Sequence, residues 1–133
     1  MQAKTAATLC VPSEKDGVAS DLNVDHFQLY SVEEEPGAPQ FEPLEVDLED
    51  QFESFLDVTV EKPAFLGTPT DKNGEGVFDP LSHLTCYKVA LAPGTPKLPP
   101  IVVETDDQFG HLTLKVGSKP KTLCVPSSKT VIE

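Results

Sequence analysis

The sequence predicts an all-β fold, a β-sandwich of immunoglobulin-like or jelly-roll kind, and three observations carry that reading. Stretches such as Leu44-Glu45-Val46-Asp47-Leu48-Glu49 alternate apolar and polar residues, the period-two signature of a strand with one buried face. No segment repeats its apolar residues at helical spacing. The turn pairs Asp16-Gly17 and Asn73-Gly74, and the proline-rich stretches 36–43 and 93–100, divide the chain into strand-length pieces.

Those pieces are copies of one another. Thr8-Leu9-Cys10-Val11-Pro12-Ser13 recurs as Thr122-Leu123-Cys124-Val125-Pro126-Ser127, and a looser version stands at Phe65-Leu66-Gly67-Thr68-Pro69-Thr70. Leu9, Leu66 and Leu123 are 57 residues apart each time (66 − 9 and 123 − 66). The same shift places His26 on His83, Tyr30 on Tyr87, Pro36-Gly37 on Pro93-Gly94, and Asp50-Gln51-Phe52 on Asp107-Gln108-Phe109. A fixed period of this size marks duplication. Two units result, about 16–72 and 73–129, preceded by a segment, 1–15, that holds a surplus copy of the motif.

Within each unit the elements follow in order. His26–Val32 and His83–Val89 are strand-length and rich in aromatic and β-branched residues. The proline-rich stretches after them lack the N–H donors a central strand needs, so they are connections. Leu44, Val46 and Leu48 point one way and Glu45, Asp47 and Glu49 the other; Leu56, Val58 and Val60 are expected to repeat that pattern, as are Leu112, Leu114 and Val116. A unit of this size would bury too little surface alone, whereas two units around one core, residues 16–133, would not.

Composition narrows the function. A formal charge of −12 argues against nucleic acid, whose phosphates need clustered Lys and Arg. The charge is lopsided: residues 26–61 hold eleven acids and no Lys or Arg, while 83–118 hold three acids and three lysines. A solvated acidic face explains this, as does a surface for cations or a basic partner. No apolar run is long enough to span a membrane, and Met1–Ala7 lacks the apolar segment of a signal peptide.

Cys86 and Cys124 belong to the second unit; their counterparts in the first are Leu29 and Gly67. Joint presence and joint absence point to a Cys86–Cys124 disulfide, the alternative being three free, buried thiols. Such a bridge would close a loop of about 38 residues and contribute roughly 3–4 kcal/mol on a chain-entropy argument. Cys10 is then left over, which in an oxidising compartment suggests a bond to another chain or a reactive thiol.

Catalytic patterns are thin. His26 and His83 are duplicates at strand starts, and no nucleophile elbow, metalloprotease helix or phosphate loop occurs, so no enzyme activity is expected. Asp71, Asn73, Glu75 and Asp79, with Gly76, match the front half of a calcium loop, but Ser82 stands where the bidentate glutamate belongs; a plain turn explains the same residues. No other cofactor is implied.

The strings His83-Leu84-Thr85-Cys86-Tyr87-Lys88-Val89, Asp107-Gln108-Phe109-Gly110 and Leu123-Cys124-Val125-Pro126-Ser127-Ser128-Lys129 resemble a poorly characterised repeat family of exported and cell-surface proteins of environmental bacteria. The first unit departs from it at both cysteines and at Glu53. The resemblance implies an extracellular, β-rich module with a disulfide.

The sequence thus leads to a structural subunit of an extracellular assembly. In it, copies of the chain join as a filament when the N-terminal segment, lacking a unit of its own to close, docks on a neighbour as a donated strand. Leu9, Cys10, Val11 and Pro12 would make that contact, with Val102, which stands where the first unit has Glu45 on an outward face. Folding back on its own chain is the other fate open to the segment. The rival function is a surface module binding glycan or protein.

Overall fold

The computed structural model describes residues 2–12, 14–15, 25–117 and 119–132, so the Asp16-Gly17 turn lies outside the described residues. The fold is all-β, as expected. Nine strands follow in order: β1 (Gln2–Cys10), β2 (Glu14–Lys15), β3 (His26–Glu33), β4 (Leu44–Glu49), β5 (Ser54–Thr70), β6 (His83–Ala90), β7 (Ile101–Asp107), β8 (Gly110–Val116) and β9 (Thr122–Ser127). They form two antiparallel sheets that pack together as a sandwich. The larger runs β1-β3-β5-β6-β9, with β4 also on β5, and the smaller runs β2-β7-β8. Among the described strands this division into six and three is neither the four-plus-three of an immunoglobulin constant domain nor two four-stranded jelly-roll sheets.

Strand pairing carries the 57-residue interval into three dimensions. On β3 and β5, His26 faces Thr70, Leu29 faces Gly67 and Tyr30 faces Leu66. On β6 and β9, His83 faces Ser127, Cys86 faces Cys124 and Tyr87 faces Leu123. Each of these pairs is the other moved by the repeat. The next contact in the sheet recurs too: Thr8, Leu9 and Cys10 face Leu29, Gln28 and Phe27, and Phe65, Leu66 and Gly67 face Cys86, Thr85 and Leu84. The large sheet is therefore an alternation of motif strand and histidine strand: β1, β3, β5, β6, β9. Rather than dividing at residue 73, the two units share it.

The turns repeat as well. Ala38 N donates to Glu35 O (3.2 Å) around Pro36-Gly37, and Thr95 N to Ala92 O (3.1 Å) around Pro93-Gly94. Gly37 and Gly94 have φ of 87° and 83°, as a type II turn requires at its third residue. The Asp-Gln-Phe motif closes the β4–β5 and β7–β8 hairpins. Asp50 Oδ1 accepts from the N–H groups of Phe52 (2.8 Å) and Glu53 (3.1 Å), and Asp107 Oδ1 accepts from Phe109 N (2.8 Å). Asn73 and Gly74, both at positive φ, make a tight turn with Glu75 N bonded to Lys72 O at 3.2 Å. That turn opens the β5–β6 connection; it does not join two strands directly.

The two hairpins differ by one inserted residue, and the insertion changes which side chains face the core. In β7–β8 the pairing runs unbroken from Ile101↔Val116 to Asp107↔Gly110. In β4–β5 the register slips between Val46↔Val58 and Leu48↔Phe55, with Asp57 at φ 55°. This β-bulge inserts one residue, and Asp57 N donates to Asp47 Oδ1 across it (2.9 Å). Leu56, expected to share the inner face with Val58 and Val60, is instead 66% exposed, and Phe55 takes its place at 3%. Phe55, Val58, Val60 and Val89 form the core cluster, against which Phe41, Leu91 and Leu98 from the proline-rich connections pack.

After the hairpins the units diverge again. β5 continues through Lys62-Pro63 with bulges on either side, where a proline is tolerated. In the second unit the strand stops at Val116, before Gly117, and restarts at Thr122. The second hairpin is thereby freed to form its own sheet with β2, whose Glu14 and Lys15 face Asp106 and Thr105.

Candidate assembly site

The surplus motif has a place in its own chain. Gln2–Cys10 is β1, paired with β3. The expectation of a segment without a home sheet is therefore corrected: β3 has a second edge to satisfy, and β1 satisfies it in the register that β5 uses on β6. The segment still lies at the boundary of the sheet. Among the described strands, β1 is bounded on one side only, by β3, and β9 on one side only, by β6. Both terminal strands are motif strands, carrying the same sequence from Thr8 and from Thr122.

Cys86 and Cys124 form a disulfide, directly opposite each other on β6 and β9 with Cα atoms 3.9 Å apart. Cys86 is fully buried and Cys124 exposed. In the first unit Gly67 sits where a cysteine would be. A Cβ there would come within 2.8 Å of Leu29 Cδ2 and 3.1 Å of Leu84 Cβ, which is why this position, flanked by β3 and β6, takes no side chain. Cys10, the other motif cysteine, is free and exposed at the edge strand; partial burial raises its thiol pKa above the ordinary value. Leu9 is exposed beside it, and Val11 and Pro12 are half-buried. Val102 is exposed as expected, on the face of β7 that also carries Glu104.

The opposite face of that hairpin was not anticipated. Leu112 and Leu114, facing Thr105 and Val103, were expected inside, yet they are 50% and 43% exposed. Phe55 and Val58, at the corresponding places of the first hairpin, are buried. The core cluster over the first hairpin is completed by Leu91 and Leu98 of the second unit.

Charge follows the same polarity. A groove of about 750 Å³, lined mostly by the second unit and on one side by Glu61, Ala64 and Phe65 of the first, is bordered by Lys88, Lys97, Lys119 and Lys121, with Glu61 3.7 Å from Lys88. The acids of the first unit lie largely on its exposed connection and hairpin: Glu42, Glu45, Glu49 and Glu53 are all exposed.

The calcium candidates do not converge. Asp71 Oδ1 accepts from Gly76 N (3.2 Å), Asp79 Oδ1 from Leu81 N (3.0 Å), and Glu75 is bonded by Lys72 Nζ (2.7 Å) and by Gln108 Nε2. Those bonds hold the Glu75 carboxyl below its ordinary pKa, chiefly through Lys72. Asn73 supplies the positive φ of the turn. Among the described residues, no three His, Cys, Asp or Glu side chains come together as a metal site. Of the histidines, His26 Nε2 meets Gln108 Oε1 (2.9 Å), His83 Nδ1 meets Leu81 O (3.2 Å), and His111 Nδ1 meets Asp106 Oδ1 (2.8 Å). The tip of the small-sheet hairpin meets the β5–β6 connection through Lys72, 5.2 Å over the Phe109 ring, and through the bond from Gln108 to Glu75. Among the described residues no helix is long and apolar enough to cross a membrane.

Comparison with known protein families, with curated proteins and with solved structures found no match.

Proposed function

We propose that the chain is a structural subunit of an extracellular assembly, a filament in which copies follow head to tail and the N-terminal segment of each, about residues 1–15, docks on its neighbour. One observation carries the reading: the large sheet is a series, motif strand and histidine strand in turn, that ends on a motif strand at both sides. A contact between opposite ends of such a series is heterologous, and it propagates as a filament where its rotation does not close a ring. Three features agree. Leu112 and Leu114 form an apolar face at the end where a further unit would follow. The acidic first unit of one copy would meet the lysine-bordered second unit of the next. The disulfide fits an oxidising, extracellular compartment, as does the resemblance to exported repeat proteins.

Sedimentation velocity across a concentration series tests the proposal. Mass is expected to grow with concentration, and to fall when salt screens the charge contrast. A single monomeric species at every concentration and at low salt would contradict it.

A second reading, a surface-displayed binding module, is favoured by the lysine-bordered groove, whose chemistry suits an anionic glycan or an acidic protein segment. An array of acidic polysaccharides checks it: binding lost on replacing Lys97 and Lys121 together supports it, and no hits would remove the glycan.

A further inference from the structure

Resting on the filament reading, we infer how one copy joins the next: β1 of the following copy takes the place of β9 on β6, and Cys10 of that copy replaces Cys124 as the disulfide partner of Cys86.

The warrant is the equivalence of three strands. β5 shows what an interior motif strand does: it pairs with β3 on one edge and β6 on the other. β1 already has one half of that arrangement, since its pairing with β3 is the β5–β6 pairing moved by one repeat. The half it lacks is a histidine strand on its outer edge, standing to it as β6 stands to β9. β6 is such a strand, and β9, its present partner, begins with the six residues found at Thr8–Ser13. Exchanging β9 for the segment from Thr8 of the next copy, whose Thr8–Cys10 already lie in β1, therefore swaps the same sequence on β6. Moreover, β1 need not leave its own sheet.

The thiol chemistry gives the exchange its direction. In the register of β6 and β9, the motif cysteine lies opposite Cys86, so Cys10 in that place also lies opposite Cys86. Cys10 is the free cysteine of the chain. Its sulfur, as thiolate, bonds to Cys86 Sγ; the Cys86–Cys124 bond breaks, and its electron pair leaves on Cys124, which takes up the proton Cys10 gave up. One disulfide is consumed and one is formed, so no oxidant is needed. Because Cys86 is buried while Cys124 is exposed, attack at Cys86 requires β9 to lift first. Partial lifting of β9 thus precedes the covalent step, and breaking of the Cys86–Cys124 bond completes the strand exchange.

Non-reducing peptide mapping of the concentrated chain, quenched with a thiol-alkylating reagent, tests this. The expected result is a covalent ladder, peptides joining Cys10 to Cys86, and alkyl label on Cys124 in proportion; C10S is expected to lose the ladder. Ladders joined Cys10 to Cys10, or Cys10 to Cys124, would overturn the exchange. So would polymers that keep every Cys86–Cys124 bond, a result that leaves the filament reading standing. Monomers alone would remove both.

Discussion

Gly67 shows most plainly how a single residue records its neighbours. It stands where the motif elsewhere has cysteine, between Leu29 and Leu84, and a methyl group there would press on both. Gly67→Ala is therefore expected to destabilise the chain by about 1–3 kcal/mol, the usual cost of overpacking, measured by urea unfolding. Trimming the obstructing leucine changes the outcome. L29C together with G67C, facing each other as Cys86 faces Cys124, is expected to form a second disulfide, detectable as a loss of two thiols on titration. Failure to oxidise would show that the two units do not share their geometry. The cysteine pairing was legible because presence and absence travel together in the sequence; the crowding at Gly67 was not, since it depends on strands 38 and 17 residues away in register with it. His111 offers a check on charge. Its bond to Asp106 raises the imidazole pKa above the ordinary range, with Glu104 adding to the effect. The folded value being raised, any stabilisation is present in full below the unfolded pKa and fades as pH rises through the folded one. NMR titration of D106N is expected to return His111 toward about 6.5.

At the scale of elements, the bulge at Asp57 separates what the sequence displays from what the sheet does. Alternation through Leu56, Val58 and Val60 reads as one continuous face, and no local signal marks the extra residue; Asp at positive φ is allowed but not obligatory. Only pairing with β4 reveals that Phe55 goes in and Leu56 out. Phe55→Ala is accordingly expected to cost about 3–5 kcal/mol, while Leu56→Ala changes stability by no more than about 0.5 kcal/mol. Equal losses would place Leu56 in the core and remove the bulge. The turns were better marked. Asn73-Gly74 and the paired Pro-Gly sites carry the residues their backbone angles require, so composition alone located them. Asp50 and Asp107 are explained as the acceptors that close two hairpins, a local task that accounts for their recurrence.

For the whole molecule, the repeat period was the most informative feature of the sequence, because it survives as strand register across the large sheet. What the period could not supply was the order of the strands. The surplus N-terminal motif looked homeless when each unit was taken as closed; once the sheet is seen as an open alternation, the same motif is simply its first member. Likewise the split between β8 and β9, where β5 runs on, depends on Gly117 and on competition with β2, neither of which alternation reports. The exposed leucines of the second hairpin follow from that split, and they lie at the end from which growth is expected. If β1 of each copy replaces β9 of the one before, every subunit contributes four strands, β1, β3, β5 and β6, to a continuous sheet. At about 4.8 Å between strands, the repeat along the sheet is about 19 Å. Electron cryomicroscopy of the concentrated protein measures that distance directly: filaments with a subunit rise near 19 Å are the expected result. Compact monomers, or filaments whose rise of about 24 Å keeps all five strands of each copy, would contradict it.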